Sequence, residues 1–126
     1  MRTPFAVMGL TITLLAGMSY AHGQRATEQF IPLGHSPGLS GRYTYIGQIA
    51  SADAQQRTIS VSQTGGSHTV KITDATRIWL DRSKLRQTAL RGSFGDLKKG
   101  EKVEIKYQGN DREQPADWVK VEVVQR

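Results

Sequence analysis

Apolar residues recur at every second position in a series of short runs, a period that suits a β-sheet far better than helices. Ile59 and Val61 alternate with Ser60 and Ser62, and Val70 and Ile72 flank Lys71. Ile78 and Leu80 flank Trp79, Val103, Ile105 and Tyr107 alternate with Lys102, Glu104 and Lys106, and Val119, Val121 and Val123 share one side of the last run. Successive strand residues point to opposite faces, so each run has one apolar face to bury. Turn signals stand between the runs: residues 53–57, the pair Gly65-Gly66, Asp74-Ala75, residues 96–100 and the polar stretch 109–115. Glycine reaches positive φ without a Cβ clash, which suits Gly65-Gly66 to a tight hairpin. Strands are therefore predicted over residues 43–50, 58–63, 67–73, 77–80, 102–107 and 116–124. The predicted core is Ile59, Val61, Val70, Ile72, Ile78, Leu80, Val103, Ile105, Val119 and Val121.

Residues 81–94 break the rhythm. Leu85 and Leu90 share a face if residues 83–91 form a short helix stopped at Gly92; a partly helical loop between strands fits equally well. Five or six short strands with one longer, partly helical insertion point to an all-β fold. A small antiparallel OB-like barrel is the first expectation and a sandwich the second.

Residues 1–21 read as an export signal. Arg2 supplies a positive start, residues 5–18 carry no charge, and Ser19-Tyr20-Ala21 places small residues where a signal peptidase reads. The apolar run is shorter than the roughly 20 residues of a membrane span. The expected mature start is His22, with Gln24 as the alternative, in the periplasm or outside the cell. Residues 22–41 contain Gly23, Gly34, Gly38, Gly41, Pro32 and Pro37 with no sustained period, and are expected to form an extended, mobile linker whose Phe30 and Ile31 dock on the barrel. Residues 42–126 form the expected domain.

The chain has no cysteine, so neither a disulfide nor a lipid-bearing thiol can hold it. Seventeen Lys and Arg stand against eleven Asp and Glu, a net charge of +6; only Arg2 lies in the leader, which leaves +5 beyond it. A basic balance favours anionic partners such as nucleic acid, phosphorylated lipid or acidic polysaccharide, but the plainer reading is that it serves solubility.

Several motifs recur in a familiar order: Gly47-Gln48-Ile49, Thr58-Ile59-Ser60-Val61, Thr76-Arg77-Ile78, Asp96-Leu97-Lys98-Lys99-Gly100 with Val103 and Ile105, and a final strand over 116–123. In this the chain resembles a family of exported bacterial small β-barrel domains of unknown function. The resemblance covers residues 43–124 and implies a barrel in the cell envelope; it implies no catalytic residues. The basic stretch 82–91 is longer than the family's usual connection.

No catalytic set emerges. Asp53, Asp74, Asp96 and Asp111 fall in predicted turns, where aspartate bonds local N–H groups. Ser67, His68 and Asp74 lack a sharp nucleophile turn. Glu101 and Glu104 alternate with lysines, as on a solvated face. No enzyme activity, cofactor or metal is therefore expected. One alternative is copper at an N-terminal His22, with a second histidine from His35 or His68. The densest feature is basic: Arg77, Arg82, Lys84, Arg86 and Arg91 oppose a single acid, Asp81, and Trp79 lies among them. Trp79 and Trp118 both alternate away from the core side, where an indole beside cations either stacks on a base or sugar ring or packs beneath another segment. The leading expectation is a non-enzymatic exported domain that binds or scaffolds an envelope component. An anionic polymer held by Arg77, Trp79, Arg82, Lys84, Arg86 and Arg91 is the alternative.

Overall fold

A computed structural model describes residues 27–125. It contains one seven-stranded mixed sheet: β1 (Thr44–Asp53), β2 (Thr58–Gln63), β3 (Gly66–Lys71), β4 (Arg77–Asp81), β5 (Leu90–Arg91), β6 (Lys102–Tyr107) and β7 (Ala116–Glu122). The spatial order is β3-β2-β1-β6-β7-β4-β5. Every pairing is antiparallel except that of β4 with β7. The expected strands are all present, and all ten predicted core residues are at most 8% exposed. They merge with Tyr45, Ile49, Leu97, Tyr107, Ala116 and Val123 into one apolar cluster.

The sheet does not close into a barrel. Its edges are β3 and β5. Between β3 and β4 the chain turns sharply: Thr76 N–H bonds the Thr73 carbonyl, and the Thr76 hydroxyl accepts from Thr73 N–H. That hydroxyl donates in turn to the Ala116 carbonyl at 2.8 Å, which delivers β4 alongside β7 in parallel. The outer edge of β4 is then taken by β5, paired through Trp79↔Arg91 and Leu80↔Leu90. Of the two readings of residues 83–91, the structure shows the partly helical loop between strands: one 3-10 turn, Ser83–Leu85, ended by Arg86 in the left-handed region at φ 56°. Gly47 is the glycine most closely approached by a neighbouring strand, since a Cβ there would run into the Ser62 carbonyl and Val61.

The larger departure concerns residues 27–43, of which 27–41 fall in the stretch expected to be a mobile linker. They lie as a strap across the outer face of β4, β7 and β6. Leu33 N–H donates to Asp81 Oδ2 and Gly34 N–H to Glu104 Oε1, both at 2.8 Å. The hydroxyls of Ser40 and Thr44 donate to Glu104 Oε2 at 2.6 and 2.8 Å. Lys120 Nζ donates to Glu28 Oε1 at 2.8 Å and to the Ser36 hydroxyl at 2.9 Å, and that hydroxyl donates onward to Glu28. Glu104 and Lys120, register partners on β6 and β7, are both 0% exposed. The expectation of a solvated outer face is corrected here: a buried charge is tolerated only with its partners in place, and the strap brings them. Phe30, expected to dock, is instead 61% exposed, while Leu33 is buried.

Candidate functional site

The outer face is built in rows. Trp79, Lys120 and Glu104 stand abreast across β4, β7 and β6; the row before it holds Arg77, Trp118 and Lys106. A bulge opposite Lys106 and Tyr107 then changes the alternation of β7. Ala116 enters the core, and Asp117 pairs with Lys106 at 3.9 Å. Bulges re-aim side chains in this way. Between these rows and the strap lies a groove of about 400 Å³, lined by Thr27, Glu28 and Leu39 of the strap and by Arg77, Trp79, Lys106, Asp117 and Trp118 of the sheet.

Both tryptophans of the chain line this groove. Trp79 is 5% exposed and Trp118 6%. Each carries a cation over its ring, Arg91 at 5.4 Å from Trp79 and Lys120 at 4.7 Å from Trp118. The Trp79 indole N–H and the Arg77 Nε are buried without a hydrogen-bond partner. The charges are unevenly matched. Glu28 is paired with Lys120 and Asp117 with Lys106, whereas Arg77 has no carboxylate within ion-pair distance among the described residues. The groove therefore presents one uncompensated guanidinium and one unused indole donor beside two aromatic surfaces.

The six residues named from sequence divide. Arg77, Trp79 and Arg91 remain together at the groove and its rim. Arg82 turns back into its own loop, donating to the Thr88 carbonyl at 2.7 Å and to Gln87 at 3.1 Å. Lys84 pairs with Glu122 at 3.5 Å, and Arg86 is exposed. Lys84, Arg86 and Arg91 are exposed, whereas Arg77 and Arg82 are half-buried. Sequence reasoning missed Glu28, Leu39, Lys106 and Asp117. Their available signal was weak: Glu28 and Leu39 lie in a stretch without period, and Asp117 depends on the bulge.

Asp53, Asp96 and Asp111 accept from local backbone N–H groups, and Asp74 pairs with Arg57 at 3.6 Å. No group of three His, Asp or Glu side chains suited to a metal ion occurs among the described residues. His22 and the expected export signal, residues 1–21, lie outside them. His35 is exposed. His68 sits between Tyr45 and Tyr107, with ring centroids 5.6 and 5.8 Å away. The Tyr107 hydroxyl and His68 Nε2 are buried and unpartnered. Burial pushes the Tyr107 phenol up to about 12, against a smaller opposing effect of Arg112.

No helix of the described residues is long and apolar enough to cross a membrane. No family model, curated protein or solved structure matches the chain. The resemblance to exported small β-barrel domains thus rests on its motifs alone.

Proposed function

We propose that this chain is a non-catalytic exported domain that holds another cell-envelope component in the groove between its strap and its sheet. The observation that carries the reading is the lining: both tryptophans and an unpaired arginine meet in one open groove. Concave sites with aromatic walls and a few converging polar groups are where proteins take ligands. The export reading rests on Arg2, the uncharged run 5–18 and Ser19-Tyr20-Ala21. An OB-like assignment is supported by treating β3 and β4 as halves of one strand bent at residues 72–76. That strand would join β2 to β7 and complete a ring through β6 and β1. Of the anionic-polymer reading, the support that remains is Arg91 over the Trp79 ring and Arg77 two positions before Trp79 on β4, since Arg82 and Lys84 are engaged within the molecule.

The test is a photocrosslinking amino acid placed at Leu39, on the groove wall, and separately at Gln55, in the exposed β1–β2 turn. Illuminated cells should yield a discrete adduct from position 39 and none from position 55. No adduct from 39, or equal adducts from both, would contradict the proposal.

A further inference from the structure

We infer that the groove's occupant is an acidic saccharide, a glycan unit carrying a single carboxylate per ring. The inference rests on the binding reading above and names its ligand class. Charge comes first. With Glu28 matched by Lys120 and Asp117 by Lys106, Arg77 is the one groove cation with no counter-charge among the described residues. A half-buried guanidinium with an unpartnered Nε is suited to a carboxylate, which it can grip through two parallel hydrogen bonds.

The remaining lining narrows the class. One unmatched guanidinium suits one carboxylate rather than the successive phosphates of a nucleic acid, and Glu28 and Asp117 are acceptors for hydroxyl protons. The unpartnered indole N–H of Trp79, itself 5% exposed, needs an acceptor, which a hydroxyl or ring oxygen supplies. An apolar peptide would leave that donor and Arg77 buried and unsatisfied, at a penalty. Trp79 and Trp118, each with a cation over its ring, contribute apolar wall to the groove against which the C–H face of a pyranose can pack. The groove's 400 Å³ falls within the usual range of small-ligand sites.

Because the only two tryptophans both line the groove, their fluorescence reports its occupancy directly. The full chain is titrated with trigalacturonate, with the N-acetylglucosamine–N-acetylmuramic acid disaccharide, with neutral chitotriose and with a short oligothymidylate. At least one acidic sugar should change the emission saturably and bind ten times or more tighter than chitotriose. Arg77→Gln should weaken that binding about tenfold or more, and Arg77→Lys should restore part of it. The acidic-to-neutral ratio of the unaltered chain is decisive even if an Arg77 variant fails to fold. Which acidic sugar binds tells a uronate polymer from a muramic acid source. Equal affinity for acidic and neutral sugars overturns the inference. So does tighter, steeply salt-dependent binding of the oligothymidylate. A crosslinked adduct at position 39 without acidic-sugar binding would reject the saccharide and leave the binding reading in place. Loss of both would reject both.

Discussion

Side chains along β6 and β7 alternate between two buried environments of opposite chemistry. Toward one side, Val103, Ile105, Val119 and Val121 are at most 1% exposed within the apolar cluster. Toward the other, Glu104 and Lys120 are equally buried, beneath the strap. The first environment is non-directional: any well-shaped hydrocarbon contact serves. The second depends on geometry. Glu104 takes one backbone N–H and two hydroxyls, and Lys120 takes a carboxylate and a hydroxyl, all contributed by residues 28–44. A buried charge with every partner in place is tolerable, and one that has lost its partners is expensive. Apolar burial therefore supplies most of the driving force, while the polar face sets where the strap lies. Since the strap forms one wall of the groove, the site depends on the polar face.

Substitutions on the two faces should therefore act differently. The largest effect is expected from Glu104→Ala, which leaves three donors of the strap and β1 without their acceptor. It should cost about 3–5 kcal/mol in denaturant unfolding and release the strap. A loss below about 1 kcal/mol would mean that the polar face is not specific. Ile105→Ala, one position along the same strand, should lose roughly 2–5 kcal/mol from transfer and cavity terms. Its strap should remain docked. A released strap in that variant would erase the distinction between the faces.

Within the apolar cluster, Tyr107 sharpens the contrast in the other direction, because its hydroxyl has no partner to lose. Its phenol is pushed up to about 12, so the folded state holds that proton more tightly than the unfolded chain, whose phenol titrates near 10. The resulting stability is present below about pH 10 and falls as pH rises toward 12. Tyr107→Phe should change stability at neutral pH by less than about 1 kcal/mol and flatten the alkaline decline. An unaltered decline would assign it to other groups.

The apolar face could be read from the sequence because period two is a local signal. Ile59, Val61, Ile78, Val103 and Val119 each declare their side within their own run. The polar face gave no such signal. Glu104 and Lys120 occupy positions that alternation assigns to solvent. The segment that covers them works through the backbone N–H groups of Leu33 and Gly34 and the hydroxyls of Ser36 and Ser40, which leave no periodic trace. Trp79 and Trp118 were a partial clue. Two indoles on the outer side of strands already apolar on the inner side suggest strands covered on both faces. The parallel pairing of β4 with β7 and the two-residue β5 could not be seen, since the first is set by long-range contacts and the second is too short to show a pattern. For the groove, Arg77, Trp79 and Arg91 were legible as a cation-aromatic group; Glu28, Leu39 and Asp117 required the fold.

The most direct measurement is hydrogen exchange of the Leu33 and Gly34 amides, followed residue by residue by NMR. Each donates to a buried carboxylate on the sheet, Asp81 and Glu104 respectively. If the strap is an integral layer of the fold, both amides should be protected to a degree comparable with those of β6 and β7, and Glu104→Ala should abolish the protection of Gly34. Exchange at the rate of unstructured peptide in the unaltered chain would contradict the strap, and with it the wall of the groove.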